Sequence, residues 1–450
     1  MNARYCVTMW GKSTVIADLK SDPNGPIRRL RVPDWKIALA NEFVADTNGK
    51  LNPKSETWLH HKKRHQRLQP GVVFEPGAPE RGALNLRRGF AVEPKKGDWS
   101  LMQNHILEIL CNGNEAHYHY VLRWIAYNVQ HPENPARTVL VFVGAEGAGK
   151  GVVLVTFGGL FGPHFLHLND SDQIVGRFNA DLGTAVFAFL DEAFWGGDKK
   201  GADKLRSMIT EERLTIEQKG IDRIHVRNHL SFAVASNKEW AMPVAVGDRR
   251  YAVFQVNERY AHKAENPNTK MYFDGLWAEV RNGGQEAMLY DLWHMDLTGF
   301  NILTVPKTKA KTEMMIRGLN GSEGFVKKWL FQILSDGWVE VEPPDTDDLM
   351  SKDMSKSSLS FWTKDGLTVN KEALYDHYSA ACKAQNERPL IKDLWAKALI
   401  KVLGEAVNVN YRSRKLGDRE RHVRFGALDQ CRRGWDRNAG TSGDGSVWPE

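Results

Sequence analysis

The 450-residue sequence predicts an α/β protein built around a mainly parallel sheet, and three observations carry that expectation. Thr138 to Gly151 (TVLVFVGAEGAGKG) is a short apolar run, then a glycine-rich turn, then a lysine that opens a helix. A continuous apolar run of this length suits a strand buried on both faces. Two further runs, Thr184 to Leu190 (TAVFAFL) and Leu230 to Ala235 (LSFAVA), alternate with helical segments, as in strands joined by helical crossovers. Both end in polar residues, Asp191-Glu192 and Ser236-Asn237, and ligands of open α/β sheets bind beyond the carboxyl ends of the strands.

In chain order, residues 4 to 19 read as a hairpin turning at Gly11-Lys12-Ser13. From Ser21 to about Asp98 the chain is rich in Pro, Gly and charge with little periodicity, which predicts an irregular accessory region. Its basic run His60 to Arg67 is either a phosphate contact or a solvated face. Trp99 to Gln130 is helical in character, with Ile106, Ile109, Leu110, Tyr118, Leu122 and Ile125 spaced to line a buried stripe. His117 and His119, two apart, face different directions on a helix and do not suggest a metal site. After the glycine loop come a helix over Gly151 to Phe161, an edge element over His164 to Asp170 and a helix over Lys199 to Ile209. A hairpin over Leu214 to Val226 turns at Lys219-Gly220. Beyond Phe300 the composition shifts, and residues 343 to 360 read as a linker. Thr368 to Gln385 and Leu390 to Leu403 then read as two helices, followed by strands at Val407 to Arg412 and His422 to Phe425. That order resembles a winged-helix domain.

Composition narrows the function classes. Apolar and charged fractions of 42% and 26% are ordinary for a globular protein, and a net charge of +6 permits nucleic acid without demanding it. The four cysteines form no C-x-x-C pair, which points away from a zinc ribbon or disulfide framework and toward a reducing cytoplasm. No apolar run reaches the length of a membrane span, and a soluble protein is expected. Charge concentrates near one end: Tyr411 to Arg437 holds nine basic residues against four acidic ones, with Arg412, Arg414, Lys415, Arg419 and Arg421 in the turn. Phosphate contacts there would release counterions; a solvated basic face is the alternative.

The glycine loop comprises Gly144, Ala145, Glu146, Gly147, Ala148, Gly149, Lys150 and Gly151. Its glycines let successive N–H groups turn toward phosphate oxygens, the following helix offers its positive end, and Lys150 reaches the β- and γ-phosphates of ATP. The G-x-x-x-x-G-K pattern is met, but Gly151 stands where a magnesium-binding hydroxyl is expected. Asp191 then suits Mg²⁺ through water, and Glu192 suits orienting or deprotonating an attacking water. Asn237 ends the third strand, where a polar side chain suits sensing the γ-phosphate or positioning water; a strand-end turn residue is the alternative. Arg249-Arg250, before a fourth apolar strand, is either an arginine offered from one subunit to a neighbour's site or ordinary surface charge.

Together these residues resemble the AAA+ motor of superfamily 3 helicases, in particular the helicase-like domain of phage and prophage primase-polymerases. The similarity runs through GAEGAGKG, GRFNADL (Gly176 to Leu182), FLDEAFWGGDK, LRSMITEERLTIEQKG, ASNKEW and GDRRYAVF, with NLRRGFAVEPKKGDWS and YVLRWIAYNVQ upstream. The resemblance implies that Lys150 grips the triphosphate, Asp191 and Glu192 form the metal and water site, and Asn237 is the sensor. It makes Arg250 the arginine finger, with Arg249 the competitor, and Lys219 the tip of a DNA-tracking hairpin. No catalytic primase-polymerase domain is recognisable.

The organisation expected is a hairpin-bearing accessory region (1–98), a helical segment (99–135), a P-loop AAA+ motor (136–300), a connecting region and linker (301–365), a winged-helix-like DNA-binding domain (366–437) and a disordered tail (438–450). The function expected is an ATP- and Mg²⁺-dependent DNA helicase of phage or mobile-element replication, encoded by a phage or prophage and working in the host cytoplasm. It would act as a homo-hexameric ring on single-stranded and forked DNA, with a primase or polymerase as a possible partner and no membrane. A nucleotide-switched origin-binding or regulatory protein is the alternative. A small-molecule kinase fits the Asn237 and Arg249-Arg250 signals less well.

Overall fold

The computed structural model describes residues 1–22, 25–77, 82–170, 179–192, 199–218, 221–237, 242, 244–245, 248–261, 266–319, 321–341, 358–412, 421–439 and 448. Contacts divide the chain into two compact units, one of residues 1–194, 198–238 and 254–305, the other of 195–197, 239–253 and 306–450. Lys219, Arg414, Lys415 and Arg419 lie outside the described residues, as do the linker residues 343–357 and most of the tail.

The first unit is a mixed α/β structure. Its sheet runs in the order Phe165–Leu168, Phe187–Asp191, Ser231–Ser236, Val139–Val143, and ends on Phe254 and Gln255, the part of the strand Tyr251–Gln255 that belongs to this unit. The first four strands pair in parallel. Val139–Val143 is buried at every position, as expected of a central strand covered on both faces. Helix Lys150–Gly159 follows directly and buries Val153, Leu154 and Phe157. Phe187 is the hub of the packing: its ring lies 4.8 Å from Phe157, 5.7 Å from Phe165, 6.2 Å from Phe161 and 6.3 Å from Trp124. The helical segment before the sheet is broken. Ser100–His105 passes into a π-helical turn, Ile106–Leu110, and a new helix, Glu115–Gln130, starts behind the Asn114 cap.

The N-terminal hairpin forms as expected, Tyr5–Trp10 against Ser13–Asp18. The region after it carries short regular elements among its irregular stretches, although none lies between Leu86 and Trp99. Arg28–Leu30 adds antiparallel on one side and Gln66–Arg67 adds parallel on the other, making a four-stranded sheet. Helices Val32–Ala38 and Lys54–His60 bring Trp35 and Trp58 to within 5.4 and 6.4 Å of Tyr5. Strands of two or three residues leave no periodicity to detect. The basic run therefore ends a helix and supplies a strand. His164 ties this region to the main sheet, accepting from the Arg88 N–H at Nε2 (2.9 Å) and donating from Nδ1 to the Thr184 carbonyl (2.8 Å).

In the second unit, residues read as connector form helices Lys309–Gly318 and Gly321–Asp336 and a pair of antiparallel strands, Trp338–Val341 and Ser358–Phe361. A three-stranded antiparallel sheet follows, with His422–Phe425 between Leu367–Asn370 and Val407–Tyr411. Thr368 and its neighbours are thus strand, not helix. The helix begins at Lys371, where the Asn370 side chain accepts from the N–H groups of Glu372 and Ala373. Helices Lys371–Ala384, Lys392–Leu403 and Leu428–Ala439 close a core around Trp329, Tyr378, Trp395 and Trp435. Trp448 is buried as well, 5.0 Å from Phe331 and 5.5 Å from Trp435. Among the described residues no helix is long and apolar enough to cross a membrane.

Replacing Phe187 by Ala removes the ring that four aromatic neighbours share, and is expected to cost about 3–5 kcal/mol. Urea unfolding followed by near-ultraviolet circular dichroism checks this; a loss below about 1 kcal/mol would contradict the hub role.

Candidate functional site

Parallel register assembles the site. Asp191 sits opposite Ala235, and Ser236 opposite Val143, so three neighbouring strands end level. Past those ends lie Asp191-Glu192, Asn237 and the loop from Gly144 to Gly149. The strand carrying Asn237 separates the other two, which puts Asp191 two strand spacings, about 10 Å, from the loop strand. The Gly144 N–H donates to the Ser236 carbonyl (3.2 Å), and the Glu192 N–H to the Ala235 carbonyl (2.9 Å).

The loop turns through left-handed backbone at Gly147 (φ 76°) and Gly149 (φ 94°), and the helix starts at Lys150. A side chain at Gly149 would meet His105 Cε1 at 2.6 Å and Phe273 Cε1 at 2.9 Å. Lys150 is only 7% exposed, and its Nζ donates to the carbonyls of Gly144 (2.7 Å) and Ala145 (2.8 Å). Burial pulls its ammonium below the usual lysine value, while the charges of Glu192, Asp191, Glu146 and Glu258 push it back. Loop N–H groups, a helix N-terminus and a buried cation make a cradle for a phosphate chain.

Asp191 is half-buried and lies 3.2 Å from His167 Nε2 on the neighbouring strand. Glu192 holds φ at 55°, a left-handed conformation uncommon for a residue with a β-carbon. Asn237 is exposed at its strand end. In the second unit, Arg249 is exposed, whereas Arg250 is clamped by Asp248: Nε to Oδ1 at 2.9 Å, Nη2 to Oδ2 at 3.0 Å. Arg412 and Arg421 are exposed beside the turn of the three-stranded sheet. Among the described residues no group of three His, Cys, Asp or Glu side chains gathers as a metal site, His117 included.

Sequence reasoning missed the brace behind the loop. His105 is fully buried, with Nε2 on the Gly149 carbonyl (3.1 Å) and Nδ1 on the Tyr272 hydroxyl (2.8 Å). Burial pushes its pKa down to about 4, so the ring is neutral, donating from Nε2 and accepting at Nδ1. Tyr272 in turn stacks on Tyr260 at 4.2 Å. His105 falls on the apolar stripe of its helix and carries no local signal of this task.

Comparison with known proteins agrees with the fold. A family of unknown function (DUF5906) matches residues 142–250, the stretch from the loop strand to Arg250. The chain is homologous to the DNA primase-polymerase of Nitratiruptor phage NrS-1, at 23% identity over 197 residues, which are 41% of this chain and 27% of that protein. The matched stretch thus spans about a quarter of that replication protein. The apo structure of the NrS-1 C-terminal region (305–718) superposes with a TM-score of 0.58 at 15% identity, covering 94% of this chain and 96% of that one. An A-form apo structure of the same region gives 0.59 at 16%.

Two outcomes test the brace. Gly149→Ala places a β-carbon against His105 in left-handed backbone, and is expected to cost about 1–3 kcal/mol in urea unfolding. His105 and His164, both held near pKa 4 by burial, bind fewer protons folded than unfolded. Stability is therefore intact above pH 6.5 and falls between pH 6.5 and 4, by up to about 3 kcal/mol per histidine. His105→Gln should flatten the measured curve in that window; an unchanged slope would rule His105 out as its source.

Proposed function

We propose that the chain is an ATP-driven DNA motor of phage or mobile-element replication, of the superfamily 3 helicase type. The observation that carries this reading is the level ending of three parallel strands, which gathers Lys150 with Asp191-Glu192 and Asn237. The reading assigns a P-loop AAA+ core to residues 136–300 and a winged-helix-like DNA-binding module to 366–437. Homology to a phage replication protein supports the setting, and the similar solved structures support the fold.

In this mechanism the triphosphate lies along Gly144 to Gly151. Lys150 leaves its two loop carbonyls for the β- and γ-phosphates, replacing neutral acceptors by charged ones. Mg²⁺ would offset phosphate charge, held by Asp191 through water and by the triphosphate itself, which suits an ion that keeps its waters and takes one or two carboxylates. That arrangement does not need a hydroxyl at Gly151. Glu192 orients the attacking water. Asn237 contacts the γ-phosphate. Arg250 of one protomer acts on the site of the next in a ring, a homo-hexamer in the superfamily 3 pattern, once it parts from Asp248. Arg249, already exposed, is its competitor. The Lys219 hairpin tips track single-stranded DNA, and Arg412, Arg414, Lys415, Arg419 and Arg421 contact DNA phosphates.

A second reading, a nucleotide-switched origin-binding or regulatory protein, is favoured by the concentration of basic residues at Tyr411 to Arg437. ATP hydrolysis with and without single-stranded DNA, measured beside unwinding of a forked duplex, separates the two. The motor reading expects turnover stimulated by DNA, loss of at least about a hundredfold in Lys150→Ala, and Lys219→Ala with basal turnover but impaired unwinding. Sequence-selective binding that survives Lys150→Ala, without strand separation by the intact protein, would replace it with the second.

A further inference from the structure

A cleft of about 460 Å³ opens in the second unit, lined by Phe361, Thr363, Asp365, Gly366, Tyr411 and Arg424. Adjacent residues of an extended chain point to opposite faces, and here Trp362 takes the inner one. Its ring lies 5.3 Å from Phe425 and its Nε1 donates to the Gly426 carbonyl (3.0 Å). Phe361 is consequently turned outward and is 59% exposed. Leaving a phenyl ring largely in water forgoes much of its burial free energy.

Across the cleft, the Arg424 guanidinium stands 5.0 Å over the ring of Tyr411 and donates to its hydroxyl (3.3 Å). The contact holds the tyrosine as a fixed plate with a cation beside it. Gly366, at φ 106°, packs so closely on the next strand that the Phe425 carbonyl lies 2.1 Å from where a β-carbon would be, so only glycine fits at this position of the lining. Arg424, itself exposed, is the one cation among the lining residues, and Asp365 the one carboxylate. Two aromatic rings, one apolar and one backed by a guanidinium, suit a flat aromatic ligand attached to an anion. They do not suit an apolar peptide.

We propose that this cleft receives an unpaired base of single-stranded DNA, stacked against Phe361 and Tyr411, with Arg424 on the adjoining phosphate. Asp365 accepts from an exocyclic amino group, which favours cytosine, adenine or guanine over thymine. The proposal rests on the reading of this unit as DNA-binding, and adds to phosphate contacts a site that senses whether a base is free of its partner strand.

Fluorescence anisotropy of the intact protein with a labelled 20-nucleotide single strand tests it, using Phe361→Ala, Tyr411→Leu and Tyr411→Phe beside the unaltered chain, and an abasic strand of equal length. Phe361→Ala and Tyr411→Leu are each expected to weaken binding about tenfold, and Tyr411→Phe, which keeps the ring, less than threefold. On the abasic strand all four proteins should bind alike. Phe361 is largely exposed, so its replacement leaves the fold standing. If Phe361→Ala and Tyr411→Leu bind the normal strand as tightly as the parent, the cleft holds no base and DNA is bound through phosphates alone. If the parent binds neither strand, the DNA-binding reading falls with it.

Discussion

The pairing of Asp191 with Ala235 and of Ser236 with Val143 is the constraint on which the first unit depends. Parallel strands reach each other only by long crossovers, so residues far apart in sequence meet only if the register is right. A shift by one residue would turn the buried runs over and move Asp191 off the edge. The phenyl rings on the covered faces, with Phe187 at their centre, penalise any such shift. Packing in the core and geometry at the edge are one arrangement seen from two ends.

What was legible in the sequence was local. The buried strands, the glycine loop and the two acids each carry their signal within a few residues, and helix Lys150–Gly159 and strand Phe187–Asp191 lie where that signal put them. Contacts between distant segments were not legible. His105 is 44 residues from Gly149 and 167 from Tyr272, and no periodicity encodes such a meeting. The N-terminal sheet escaped notice because its outer strands are two or three residues long and owe their existence to pairing with Tyr5–Trp10. Thr368 to Asn370 of the strand Leu367–Asn370 read as helix in the sequence because Thr-Val-Asn is ambiguous, although Asn370 is a good cap for the helix that follows.

The electrostatics of the edge run against simple expectation for an anion site. Four carboxylates act on Lys150, and Asp191 lies beside His167 instead of standing alone. On the proposed reading, a phosphate chain there would meet negative charge as well as the lysine, and a divalent cation accompanying it would relieve repulsion as much as bridge ligands. The neutral His105 belongs to the same scheme. A charged imidazole under Gly149 would add a second buried cation beside Lys150, and burial keeps it uncharged.

Trp448 gives the far end of the chain a mechanical character. Its indole is wedged between Phe331 and Trp435, hydrogen-bonds to Asp436 through Nε1 (3.0 Å) and lies under Arg432. Affinity tags, fluorophores or fusion partners joined immediately after this residue would pull on the packing of the second unit, whereas the same additions at the exposed Gly11-Lys12 turn would hang free of any core.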